Sequence, residues 1–151
     1  MLPEQRRFID DFAALMVPLG MPPAVARLYG YLMLAPAPVS LDQMSEDLEA
    51  SKSNVSVAAR LLEKHMLARR HGERGSKRAL YSVSDDYTGL FAEKSATLGK
   101  LAALLHASAT TVADGAAARR LEAISEYHAV MQRAMESAAE QFKPDSMRDV
   151  V

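Results

Sequence analysis

Ser40-Leu41-Asp42-Gln43-Met44-Ser45-Glu46-Asp47-Leu48-Glu49-Ala50-Ser51-Lys52-Ser53-Asn54-Val55-Ser56 is the stretch whose reading decides the fold. Ser40 with Gln43 three residues on is a capping box, in which a hydroxyl caps the first turn and a glutamine reaches back. The short helix it opens turns Leu41, Met44 and Leu48 inward. Ser51 then caps a second helix from Lys52 to about His65. Two capped helices separated by a few residues are the arrangement of a helix-turn-helix.

The second of these helices has two distinguishable faces. Val55, Ala58, Ala59, Leu62 and Met66 recur at the spacing of a buried stripe. Ser53, Ser56, Arg60 and Lys64 recur at threes and fours on another side, small and hydrogen-bonding first, then cationic. Downstream, Leu67-Ala68-Arg69-Arg70 and Ala79-Leu80-Tyr81-Ser82-Val83 read as two short strands. The glycines and charges from His71 to Arg78 form their turn, so a hairpin follows the helix pair as a wing, with Arg74, Lys77 and Arg78 at its tip.

On the N-terminal side, Phe8, Phe12 and Leu15, with Ile9 and Met16 alongside, mark a helix that stops at Pro18-Leu19-Gly20. A second helix begins at Pro22-Pro23, because proline suits a first turn whose N–H has no partner. It runs to Met33 and breaks at Ala35-Pro36-Ala37-Pro38. On the C-terminal side, Phe91, Lys94, Leu98, Leu101, Leu105, Ser108 and Val112 alternate spacings of four and three. After Asp114-Gly115 the series Leu121, Ile124, His128, Met131, Met135, Ala138 and Phe142 does the same, a heptad seam. Such helices form an antiparallel hairpin or pack on a second subunit. Pro144 ends the pattern, and the last residues are expected to fray.

The expected fold is therefore mainly α with a small β-hairpin wing: a winged helix-turn-helix over residues 1–86, then long terminal dimerisation helices over 87–151. Phe8, Phe12 and Leu15, too apolar for a free helix face, and Leu121, Ile124, His128, Met131 and Met135 of the heptad seam are the expected dimerisation residues.

Charge points to the partner. The chain of 151 residues carries a formal net charge of −1, yet Lys52 to Arg78 holds eight basic and two acidic residues. That stretch is +6 and the remainder −7. A basic island on an acidic body is the footprint of a polyanion at one face. A recognition helix must offer short polar groups and cations to base edges and phosphates. Ser51, Lys52, Ser53, Asn54 and Ser56 supply these at a helix start, where backbone N–H groups also favour phosphate. Arg60 suits a guanine edge or a phosphate, and Ser40 and Lys64 flank the same surface. The expected partners are a pseudo-palindromic double-stranded DNA operator and a second copy of the chain. The competing class is a protein-interaction module whose basic face meets an acidic protein.

Other chemistries find little support. The chain has no cysteine, which excludes disulfides and thiolate metal sites. His65, His71, His106 and His128 lack ligand spacing, so no metal and no cofactor is expected. No Ser/His/Asp set nominates an enzyme site. Asn54-Val55-Ser56 fits a glycosylation acceptor only by chance, and Gly72 to Lys77 lacks the spacing of a phosphate loop. With no secretory layout at the start and no apolar run near the ~20 residues of a bilayer span, a cytoplasmic protein is expected.

The pattern resembles the MarR superfamily, and within it the GbsR-like branch. The resemblance rests on Gly20-Met21-Pro22, Ala26-Arg27, Gly30-Tyr31-Leu32-Met33-Leu34, Ser40-Leu41, Leu48, Ser51-Lys52-Ser53-Asn54-Val55-Ser56, Arg60-Leu61-Leu62, Arg78 and Tyr81. It extends from about Phe8 to Val83, and Met66 stands where a helix-ending glycine is usual. It implies a dimeric transcriptional regulator, a repressor by the branch's name, whose winged helix reads DNA. It does not fix a small-molecule effector.

Overall fold

The computed structural model describes residues 1–72, 78–86 and 88–142. The chain divides into two compact units, Met1–Asp85 and Asp86–Val151. Unit 1 contains α1 (Pro3–Met16), α2 (Pro23–Leu34), β1 (Val39–Ser40), α3 (Leu41–Asp47), α4 (Lys52–Lys64), β2 (Ala68–Gly72) and β3 (Ala79–Val83). Unit 2 is a helical hairpin of α5 (Thr88–Thr111) and α6 (Gly115–Gln141). A helical chain with one small antiparallel sheet is the winged-helix class that the sequence predicts.

In unit 1 the amphipathic stripes converge. Ile9 and Ala13 of α1 meet Val25, Leu28, Tyr29 and Leu32 of α2, and Met44, Val55, Ala58, Ala59 and Leu62 complete the core from α3 and α4. Leu28, Leu32, Met44 and Leu62 are wholly buried. Gly30 lets α1 and α2 approach closely, since a Cβ there would lie 3.2 Å from Phe12 Cδ1. Phe12 stacks on Phe8 and meets Tyr29 edge-on, with ring centres 6.0 and 5.7 Å apart. It is thus half-buried within its own chain, whereas Phe8 and Leu15 face outward, Leu15 at 73% exposure.

Local readings need four corrections. The capping box forms by half: Ser40 Oγ accepts from Gln43 N at 3.2 Å, but the Gln43 side chain donates to Asp47 instead of reaching back. The sheet has a third strand, β1, which pairs Val39 with Tyr81 and Ser40 with Leu80, giving the order β1-β3-β2. A two-residue strand is too short to leave a periodic signal. The first wing strand starts one residue later than predicted and runs on to Gly72, paired from Ala68↔Val83 to Gly72↔Ala79. Met66 does not extend the α4 stripe: it is 46% exposed and adopts φ 59°, the left-handed turn that lets the chain leave the helix.

In unit 2 the seam differs from the predicted one. Among the described residues, the buried ones are Ser95, Ala102 and Ala109 of α5, one heptad apart, and Ser125 of α6. Ser125 Oγ donates to the Ala102 carbonyl at 2.7 Å, and Ser95 Oγ donates to Glu136 at 3.2 Å. Gly99 admits Gln132, whose Nε2 would lie 2.8 Å from an added Cβ. Small side chains thus close the hairpin, while the larger apolar ones lie on its flank. Leu98, Leu105, Leu121, His128 and Met135 are half-buried; Leu101, Leu104, Ile124 and Met131 are exposed. At 100° per residue in two antiparallel helices, these stripes fall on the same side of the hairpin. His106, Glu122, Glu126 and Arg133 fall on the other, joined by His106–Glu122 and Arg133–Glu126 contacts at 3.0 Å. No helix among the described residues is long and apolar enough to cross a membrane.

Candidate nucleic-acid interface

The turn between α3 and α4 is tightly held. Ser45 Oγ donates to the Ala50 carbonyl at 2.6 Å, and Ala50 N donates back to the Ser45 carbonyl at 3.0 Å. Between them Glu49 takes a left-handed φ of 52°, with its carboxylate on Arg6 Nη2 at 3.0 Å. Ser51 then caps α4, accepting from Asn54 N at 3.2 Å. Val55, Ala58, Ala59 and Leu62 anchor the helix, and helical geometry turns Ser53, Val57, Arg60 and Lys64 the opposite way.

The structure leaves Ser51, Lys52, Ser53, Asn54, Arg60 and Lys64 exposed and Ser56 half-buried on one flank. Asn54 lies on the other flank, so the two do not share one edge. Arg60 Nε donates to the Ser56 carbonyl at 3.3 Å, laying the guanidinium back along its own helix. Ser40 is half-buried, and its hydroxyl is engaged in the α3 cap. Arg78 is exposed where β3 begins. Arg74 and Lys77 lie outside the described residues. Arg69 and Arg70 of β2 are also exposed, Arg69 pairing with Asp85 at 2.6 Å.

Two features escape a reading by spacing. Val57 is 47% exposed in the middle of the polar face of α4; its residue type alone would assign it to the core. Asp42, on the first turn of α3, places Oδ1 2.5 Å from Lys52 Nζ. Bonding to Lys52, then its charge, and then that of Arg78 hold the Asp42 carboxyl below the usual carboxylate range. No sequence interval announces a contact across the turn.

Away from this face, a cleft of about 310 Å³ lies between the start of α1, the end of α2 and α3, lined by Ile9, Leu34, Pro36 and Val39 among others. In it Tyr31 donates to Asp47 Oδ2 at 2.6 Å, and Gln43 donates to Oδ1 at 3.1 Å. Burial, then that bond and charge, push the Tyr31 hydroxyl well above its ordinary value. Among the described residues no cluster of three or more His, Asp or Glu is placed to hold a metal ion.

No family model matches this chain. It is 32% identical over 84 residues to YvaV of Bacillus subtilis (strain 168), whose name assigns it provisionally to the HTH-type transcriptional regulators. It is 30% identical over 87 residues to the HTH-type transcriptional repressor OpcR of the same organism. These matches cover 56% and 58% of this chain and 48% and 47% of the relatives, so the chain matches about half of their length. A crystal structure of a transcriptional regulator superposes with a TM-score of 0.79 at 19% identity, covering 93% of this chain and 98% of that one. The homologues are thus HTH-type transcriptional regulators, and the fold is shared with a transcriptional regulator.

Proposed function

We propose that this chain is a sequence-specific, double-stranded-DNA-binding transcriptional regulator that acts as a homodimer and catalyses no reaction. The observation that carries the reading is the outer face of α4: short polar groups and cations on a capped helix whose opposite side is fixed in the core. Such a helix suits the major groove, where arginine pairs a guanine edge and asparagine an adenine edge, each worth about 1–3 kcal/mol of discrimination. The exposed methyls of Val57 complement the methyl of a thymine. Arg74, Lys77 and Arg78 of the wing suit phosphates. The names of the relatives support regulation, and that of OpcR supports repression. Membership of the MarR superfamily and its GbsR-like branch is the finer reading carried by the sequence resemblance.

The dimeric reading is supported by unit 2. Its hairpin presents one apolar side, with Leu101, Ile124 and Met131 exposed beside half-buried Leu121, His128 and Met135. Heptad spacing on both helices suits four-helix packing against the same side of a second copy. Two α4 helices then meet successive major grooves about 34–36 Å apart, which a pseudo-palindromic operator matches.

The test is selection of bound fragments from random duplex DNA, followed by binding of Asn54→Ala and Arg60→Ala to the selected and a scrambled duplex at one salt concentration. Each variant is expected to lose about 1–3 kcal/mol on the selected duplex and far less on the scrambled one. Equal losses on both would leave α4 with backbone contacts alone. No selected sequence, together with capture of an acidic protein, would replace the DNA reading.

A further inference from the structure

We propose that Asp42 is a specificity-determining residue, which acts by tethering and neutralising Lys52 so that this lysine does not bind phosphate on DNA of the wrong sequence. The inference rests on the DNA-binding reading of α4 and adds a residue from a different helix.

An acidic side chain is out of place on a face read as a polyanion site, and this one is held there by its surroundings. Asp42 lies on the first turn of α3, where a helix dipole favours a carboxylate. Its Oδ1 lies 2.5 Å from Nζ of Lys52, the first residue of α4, and both side chains are more than half exposed. Arg78, at the foot of β3, adds to the positive field on the same carboxylate. Asp42 thus sits among cations contributed by α4 and the start of β3.

A free lysine is a compact charge on a flexible stem and reaches phosphates from many rotamers. That freedom supports sequence-independent binding, because every duplex offers the same backbone charge. The Asp42 carboxylate removes the freedom and cancels the charge. An exposed ion pair is worth only about 0–1 kcal/mol, so a duplex docked in register can still exchange it or use the tethered ammonium where it stands. A duplex out of register gains nothing from Lys52 until it has displaced the carboxylate.

The experiment compares wild type, Asp42→Asn, Asp42→Glu, Lys52→Ala and the Asp42→Asn/Lys52→Ala double variant on the selected and scrambled duplexes across a salt series. Asp42→Asn is expected to bind the scrambled duplex about five-fold more tightly, the scale of a released exposed pair. Its log K against log salt slope should steepen by about one. The selected duplex should gain less, so the specificity ratio narrows, and Asp42→Glu should restore it. In the Lys52→Ala background the slope change should vanish. Equal gains on both duplexes, an unchanged slope, or weaker binding by Asp42→Asn would overturn this inference and leave the α4 reading intact. A wild-type chain that shows no preference between duplexes would overturn both. Thermal midpoints of the variants separate a folding defect from either result.

Discussion

The two units bury their surfaces in opposite ways. Unit 1 closes over large side chains: Leu28, Leu32, Met44 and Leu62 are wholly buried, drawn from three helices that cross one another. Unit 2 closes over small ones: Ser95, Ala102, Ala109 and Ser125 let two helices lie close together, and the leucines and methionines stay at or beyond the flank. Four helices and a sheet enclose a volume, and a volume has to be filled. Two helices share only a line of contact, and whatever is larger than that line projects. A core of the first kind is complete within one chain. A hairpin of the second kind carries an apolar side that its own fold does not cover.

The largest expected effect tests that contrast directly. Met131→Glu with Met135→Glu places carboxylates on the apolar side of the hairpin, where each uncompensated charge buried by a partner costs several kcal/mol. Self-association should weaken by on the order of a thousand-fold, read by analytical ultracentrifugation. A parent protein that is monomeric at micromolar concentration would break the comparison at once.

Next come paired substitutions of opposite sense. Leu62→Ala removes volume from the filled core and should cost about 2–5 kcal/mol in chemical unfolding. Ala102→Leu adds volume to the line of contact and should cost about 1–3 kcal/mol. If enlarging Ala102 were neutral, the hairpin would not be closed by small residues. The smallest effect concerns the exit from α4. Met66 holds φ 59°, which a side chain tolerates at a cost of about 1–2 kcal/mol. Met66→Gly should therefore raise the thermal midpoint slightly, part of the relief being offset by glycine's greater freedom when unfolded. A lower midpoint would mean that the exposed Met66 side chain contributes packing.

Much of unit 1 was legible because its signals are local. Ser51 caps the helix after it, Pro23 opens α2, and the stripe Val55, Ala58, Ala59, Leu62 states which side of α4 faces inward. The candidate site was legible to the same extent, since a residue opposite a buried stripe is outward by geometry. Val57 went unassigned because the outer face of α4 was picked out by its serines and cations, and a valine among them carries neither signal. The Gln43 bond to Asp47 was missed because a side chain has two ways to satisfy itself and spacing names only one.

The sequence by itself determined the helices, the order of helix pair and wing, and the inward side of α4, all set by caps and periods acting within a few residues. Only the tertiary structure decided what depends on distant segments. It placed β1 against β3, turned the predicted seam of α6 onto the hairpin's flank, and brought Asp42 of α3 against Lys52 of α4. A heptad states that a helix has an apolar stripe but not which part of it a neighbour covers, because that depends on how closely the backbones approach. Here Gly99, Ala102 and Ser125 set that approach, and small residues leave almost no mark in a hydrophobic pattern.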